Sequence, residues 1–351
     1  MAFHFSGFLY KLLPSSRALN PLFCGGYLGV DLFFQLSGFI LAYNYLGRFE
    51  KLNAGSWLSF MKTRFARIYP VHFVMLHVAV LMSFLAGITG LHLVSGAPDQ
   101  YGLAAWFQNL ILVNGWWTLR PTCNDISWSI SLEWFLYMAF PLLAYFASRI
   151  KSPEWPLLAA AGLMIATLYG NIYLTAHEVL VVGGGWLARE IPCSALGFMA
   201  GVMLCSARRY LRPSRAWGWT STAAAVLIAA LPWFHDISEY MSGMLVIPFF
   251  AVLILSLSFG TGPVAALLSS RPALWWGDAS FSLYMTSSLA SMALAGLLPW
   301  KMLATAGLPV RLACILFIGV FVAGVTAATY RWIDLPWRRR LRNLPVPGGI
   351  K

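Results

Sequence analysis

Few side chains in the apolar stretches of this chain can carry a charge, and those few are where chemistry would be done. Asp31 lies within Gly29–Phe39 (GVDLFFQLSGF) and Glu133 within Ser127–Tyr137 (SWSISLEWFLY). His4 stands near the start of the chain, His72 and His77 share a later apolar stretch, and Arg189 and Glu190 are neighbours in another. An ionisable group inside a bilayer is costly, so each is a functional candidate by default. On a helix, Ser129, Glu133 and Tyr137 stand at i, i+4 and i+8 and line one face. A hydroxyl, a carboxylate and a phenol in a row suit binding of a polar substrate or orientation of a catalytic histidine. The same spacing serves equally as polar glue between helices. Asp31 and Gln35 also share a face, one turn before Gly38, a residue that would let another helix approach closely. Arg189 and Glu190 point to different faces and read as structural. His72 and His77 are five apart, off a common face, so no metal pair is expected and no metal site is assigned.

A second group of residues suits anions. Lys62, Arg64 and Arg67, followed by Tyr69 and Pro70, stand where a polar segment enters an apolar one. Guanidinium forks match phosphate geometry, so this patch could hold a nucleotide-like cofactor at the inner membrane surface. The tendency of Lys and Arg to mark cytoplasmic loops explains the same residues without a ligand. Cys24, Cys123, Cys193, Cys205 and Cys314 show no paired spacing and read as buried structural thiols.

The elements that must position these groups are apolar helices. Of 351 residues, 59% are hydrophobic and 10% charged, against about 25% charged in a soluble domain. A spanning helix needs about 20 apolar residues. Candidate spans run over roughly 25–47, 68–91, 127–148, 156–175, 186–206, 217–234, 241–259, 279–299 and 308–332. Met1–Leu13 is apolar but short, the expected second half of a further span in a chain that starts late. The 103–117 stretch is expected to be interfacial or re-entrant. With 48–67 cytoplasmic, alternation puts most of the 24 Lys and Arg on one side, while the opposite loops carry Asp99, Glu178, Asp236 and Glu239. The expected fold is therefore an all-α, polytopic transmembrane helical bundle of about ten spans, the first truncated, with both termini cytoplasmic. Residues 1–335 form a single membrane domain, and 336–351 a basic tail at the inner surface. The net charge of +12 is dispersed over inner loops without a recognition motif, so no nucleic-acid partner is expected.

Five stretches taken together resemble one family, the integral membrane acyltransferases of the acyltransferase-3 type. Gly29–Phe39 looks like its G-V-x-x-F-F-x-x-S-G-F segment, and Arg64–Pro70 (RFARIYP) is similar to its R-x-x-R-I-x-P motif. Trp128 to Tyr137 resembles its S-W-S-x-x-x-E-x-x-x-Y helix, Gly277–Tyr284 (GDASFSLY) its G-x-x-S-Y-S-x-Y segment, and Tyr330–Pro336 (YRWIDLP) its closing Y-R-x-x-E-x-P. They occur in the family's order over nearly the whole chain.

The resemblance implies ten spans and transfer of an acyl group, often acetyl, from cytoplasmic acyl-CoA to a hydroxyl, often of a cell-surface or exported carbohydrate. His4 matches the family's essential histidine and becomes the expected general base, with Asp31 or Glu133 orienting it. Arg64, Arg67 and Tyr69 become the expected acyl-CoA site, and Ser129, Tyr137 and Trp128 the expected substrate contacts. No permanently bound cofactor is implied, and the partners are the lipid bilayer, acyl-CoA and a carbohydrate acceptor, with the oligomeric state left open. Three departures stand out. The family's arginine before its histidine is absent, the histidine expected after S-x-S-x-Y is Ser287, and the closing glutamate is Asp334. Two alternatives fit the same residues: a polytopic transporter or flippase, and an inactive, truncated family member.

Overall fold

The computed structural model describes residues 2–91, 93–94, 98–116, 121–176, 187–233 and 244–343, and every regular element among them is helical. The principal helices are α1 (Ala2–Leu12), α2 (Gly29–Tyr45), α3 (Ala54–Thr89), α4 (Leu103–Leu110), α5 (Ser127–Ser148), α6 (Glu154–Ala176) and α7 (Leu187–Arg208). They are followed by α8 (Ala216–Ala230), α9 (Ile247–Leu257), α10 (Gly262–Leu268), α11 (Arg271–Leu297), α12 (Leu308–Thr329) and α13 (Leu335–Asn343).

Among the described residues six helical stretches are long and apolar enough to cross a membrane, or seven if α9 and α10, bent by 82° at a short break, count as one. The expected spans without that length or apolarity have identifiable reasons. α8 has 15 residues. α11 has 27, but Asp278, Ser280, Ser282, Thr286, Ser287 and Ser288 interrupt its apolar run. α1, at 11 residues, rises about 16 Å. The 103–117 stretch holds only α4, 8 residues and about 12 Å long, too short to cross a bilayer core.

One boundary differs from the sequence reading in a way that matters for the site. The span expected from residue 68 belongs to a helix that starts at Ala54 and runs for 36 residues, about 54 Å. A hydrocarbon core of about 30 Å takes up only part of it. Lys62, Arg64 and Arg67 therefore ride on a rigid helix rather than on a loop. The expected Arg189–Glu190 arrangement concerns side chains outside those described, and the tail beyond Asn343 is likewise outside.

By its contacts the chain divides into two compact units. The first comprises Met1–Phe23, Met61–Leu132 and Trp276–Lys351; the second comprises Cys24–Phe60 and Glu133–Trp275. The first has an apolar core of Phe8, Leu12, Leu294, Cys314, Ile318 and Val322. There α1 lies against α12, and Trp300 stacks on Phe8 at 4.5 Å. In the second, α2 packs on α7, and α7 on α6. The α2–α7 crossing is a backbone contact. A Cβ at Gly38 would lie 2.0 Å from the Phe198 carbonyl oxygen, and one at Gly201 would lie 2.0 Å from that of Gln35. The close approach expected at Gly38 is thus present, and its partner is α7.

Candidate functional site

The anion-suited residues of α3 lie in the first unit. Arg64 and Arg67, three apart, share a face of the helix. Arg67 Nη1 is 3.3 Å from Asp334 Oδ2, and Arg338 Nε is 3.6 Å from Asp334 Oδ1. Ser282 Oγ also donates to Asp334, at 3.4 Å. The Arg67 guanidinium lies over the Phe281 ring at 5.5 Å. Asp334 is 1% exposed, so this carboxylate is a buried anchor holding two guanidinium groups at one place. One negative charge against two positive ones leaves the cluster cationic, with N–H donors to spare for an anion. Three of the five motifs, Arg64–Pro70, Gly277–Tyr284 and Tyr330–Pro336, meet here. Tyr69 donates to the Leu110 carbonyl at 3.2 Å and stacks on Phe65, which fixes that turn of α3 beside α4.

Around the start of α5 the first unit holds a buried polar network. His72 donates through Nε2 to the Asn109 carbonyl at 2.8 Å. The Asn109 side chain donates to Thr122 at 2.8 Å and accepts from Ser127 at 2.7 Å, and Asn114 donates to Ser127 at 3.0 Å. Ser131 donates to the Leu112 carbonyl and accepts from the Gly115 amide. Ser129 donates to the Ile126 carbonyl, and its hydroxyl is 2.8 Å from that of Tyr284. The serines of the Ser127–Tyr137 motif thereby pin the irregular segment before α5, in which Leu112 and Cys123 take positive φ values of 59° and 56°. Burial pushes the Cys123 thiol up to about 12, which keeps it protonated and inert. Trp128 is buried in the same region.

His4 is partly buried on α1, and Ser291 of α11 donates to its backbone carbonyl at 3.2 Å. Elsewhere in this unit Asp125 stands in the turn before α5, its Oδ1 buried with no hydrogen-bond partner among the described residues. Asp125 was not among the sequence candidates. It sits outside the apolar stretches, so a search for charges within spans passes over it; its place two residues before Ser127 was the available signal. Beside α1, an apolar groove of about 310 Å³ is lined by Phe5, Phe8, Leu9, Ile315, Ile318 and Gly319 among others. Its hydroxyl, Ser6, donates to the Phe3 carbonyl, so the groove suits hydrocarbon rather than a sugar.

Asp31, Glu133 and Tyr137 lie in the second unit. α5 is unbroken, so the shared face of Glu133 and Tyr137 holds, with Tyr137 donating and Glu133 accepting along it. Tyr137 donates to Glu133 Oε1, and Ser37 of α2 donates to the same oxygen at 3.0 Å. Glu133 is 2% exposed. Through Ser37 these bonds join α2 to α5. Asp31 and Gln35 are buried on α2, where a Cβ at Gly197 of α7 would touch the Gln35 side chain at 3.4 Å.

An all-helical chain with several apolar helices of spanning length, buried polar centres and an arginine cluster on a helix outrunning the bilayer is a membrane protein with an anion-suited site. The acyltransferase domain matches residues 1–330, and the chain belongs to the acyltransferase-3 family. It is 24% identical over 282 residues to the peptidoglycan O-acetyltransferase OatA of Listeria monocytogenes, covering 74% of this chain and 44% of that protein. It is 36% identical over 124 residues to the acyltransferase MdmB of Streptomyces mycarofaciens, covering 33% of this chain and 28% of that protein. The chain thus spans less than half the length of these relatives. No solved structure matches it.

Proposed function

We propose that this chain is the membrane domain of an O-acyltransferase that moves an acyl group, most simply acetyl, from acyl-CoA to a hydroxyl of a cell-surface or exported carbohydrate. The observation that carries the reading is the Arg67–Asp334–Arg338 cluster, where three family motifs meet and a buried carboxylate holds two guanidinium groups side by side. Such a fork binds the phosphates of coenzyme A with charge-assisted hydrogen bonds. Arg64 adds a further cation on the same face, and Tyr69 sets the turn that carries them. The chain sits in the inner membrane with both termini cytoplasmic and ten spans, α8, α11 and α1 supplying those beyond the strongly apolar set. That orientation puts the arginine cluster on the side where acyl-CoA is made.

His4 is the general base. It takes the proton of the acceptor hydroxyl, whose oxygen attacks the thioester carbonyl. The tetrahedral intermediate then collapses, the carbon–sulfur bond breaks, and the departing thiolate takes the proton back from the imidazolium. General-base catalysis of this kind contributes about 10²–10⁴-fold. Ser129, held beside Tyr284, and Trp128 border the acceptor in this reading, while Glu133, Tyr137 and Asp31 hold helices together. The test is release of free coenzyme A from acetyl-CoA, coupled to acetylation of an N-acetylglucosamine trimer. Wild type turns over, Arg67→Ala raises the KM for acetyl-CoA, and His4→Ala abolishes turnover. Substrate movement without thiol release would instead identify a transporter.

A further inference from the structure

We propose that the apolar groove between α1 and α12 holds one acyl chain of an anionic phospholipid, whose phosphate sits on Lys11 and Arg311 at the groove's end. The hydrocarbon half of the site is a pair of helix faces. Phe5, Leu9 and Leu12 line it from α1, and Ile315, Gly319 and Val322 from α12, each set spaced three or four apart along its helix. A Cβ at Gly319 would meet nothing within 4 Å, so the groove is open there. Leu316 and Val320, next to the lining residues on α12, are exposed. On an apolar helix of spanning length that exposure is to lipid chains, which reach the groove from the side. A chain seated there packs against both helices and steadies α1, the short helix that carries His4.

The polar half follows from where the cations stand. Arg311 is one turn before Ile315 and extends the same row of α12. Its Nε is buried with no hydrogen-bond partner among the described residues, a donor left for a ligand. On α1, Lys11 Nζ lies over the Trp300 ring at 5.7 Å, and Trp300 opens the short helix Trp300–Thr305 that precedes α12. The end of α1 and the start of α12 therefore share one end of the groove. Lys301, beside Trp300, and Arg17, just beyond α1, are two further exposed cations. Residues 1–30 and 279–333, which supply all four, contain no Asp or Glu. Among the described residues none of the four makes an ion pair. Arg311 and Asp334 lie on one helical run and are about 34 Å apart along it, more than a hydrocarbon core of about 30 Å. These cations thus stand at the membrane surface opposite the Arg67–Asp334–Arg338 cluster, and a preference of Lys and Arg for inner loops does not explain both sets. From Arg311 to Val322 α12 rises about 16 Å, close to half the hydrocarbon core. A phosphate held at Arg311 therefore sends one chain along the groove to the depth of one leaflet.

The test uses the full chain in detergent, titrated with dioleoyl phosphatidylglycerol or dioleoyl phosphatidylcholine, with bound lipid counted by native mass spectrometry. Binding is read without turnover, so the outcome is separate from acyl transfer. Wild type is expected to retain one phosphatidylglycerol and to bind it at least about tenfold tighter than phosphatidylcholine. A basic residue beside an anionic headgroup is worth about fivefold in affinity, so Lys11→Gln/Arg311→Gln should lose about 30-fold. Lys11→Gln alone, at an exposed position that the fold does not need, should lose about fivefold. Gly319→Leu fills the groove and should weaken binding at least about tenfold. Arg212→Gln/Arg215→Gln removes exposed cations of the other unit and should stay within about twofold. Lipid-free thermal midpoints check that each variant is folded. Equal affinity for the two lipids, or a Lys11/Arg311 double variant no weaker than the Arg212/Arg215 control, would overturn the headgroup site. Unchanged binding in a folded Gly319→Leu would overturn the groove as the seat of the chain. Inorganic phosphate binding as tightly as the lipid would overturn the proposal too, since the cations would then hold a free anion and no chain.

Discussion

Adding one methyl group at Gly38 should cost this protein several degrees of thermal stability. The new Cβ would lie 2.0 Å from the Phe198 carbonyl oxygen and 2.9 Å from its carbonyl carbon, where ordinary contact begins near 3.4 Å. Relief requires α2 and α7 to separate by about 1.4 Å, because the obstructing atoms are backbone and have no rotamer to change. Overpacking typically costs about 1–3 kcal/mol, and a backbone clash falls at the upper end. Alanine returns about 1 kcal/mol of helix propensity, leaving a net loss of about 2 kcal/mol, or about 4–8 °C in a large domain. Gly162 is the control: on α6 of the same unit, its Cβ would meet nothing within 4 Å, so Gly162→Ala should be neutral or slightly stabilising. The assay is a thermal ramp in detergent with a dye that fluoresces on reacting with thiols. Cys193 and Cys205 are buried on α7 itself, and Cys123 and Cys314 are buried elsewhere, so the signal reports unfolding that includes the helix in question. Equal midpoints for Gly38→Ala and Gly162→Ala would refute the backbone-contact argument.

Asp334→Asn removes the anchor shared by Arg67 and Arg338. With hydrogen bonds to charged groups worth about 1.5–3 kcal/mol, the KM for acetyl-CoA should rise about 10- to 100-fold while kcat changes little, as steady-state thiol release would show. Tyr284→Phe deletes the hydroxyl contact with Ser129 and the bond to the Ile126 carbonyl. At about 1 kcal/mol for a typical bond, it should lower stability by about 1–2 kcal/mol in the same thermal ramp. Cys123, its thiol pushed up to about 12 by burial, should resist iodoacetamide at pH 8, because a raised thiol pKa leaves almost no thiolate there. Mass spectrometry should find it alkylated only after denaturation, and full labelling of the folded protein would contradict its burial.

What the sequence made legible was periodic. α5 begins and ends where the apolar run does, at Ser127 and Ser148, and the residue that lets a helix approach, Gly38, could be named from its size alone. The start of α3 was not legible, because Lys62, Arg64 and Arg67 look like a loop to any reading based on hydropathy, although Lys and Arg are good helix formers. Pairings across sequence were hidden for a simpler reason. Arg67 and Asp334 are 267 residues apart, and nothing in either segment names the other. Asp125 was missed because it stands in a turn, where a carboxylate is ordinarily unremarkable.

The register of the closing helix shows how a local irregularity serves that long-range contact. In an α-helix each residue turns 100°, so Thr326, Tyr330 and Asp334, four apart, drift by about 40° at each step and about 80° in all. A regular helix would therefore carry Asp334 well around from the face that Thr326 buries. Tyr330–Asp334 instead form a single π-helical turn, whose wider winding takes up part of the drift. All three residues are buried, while Trp332 in the same turn is 71% exposed. The π turn thus keeps Asp334 on the inner face, where Arg67 and Ser282 reach it. Arg338, one turn further into α13, approaches from its own helix at i+4. Local backbone geometry in the Tyr330–Pro336 motif, rather than its charge alone, is what turns a carboxylate 267 residues from Arg67 into that arginine's anchor.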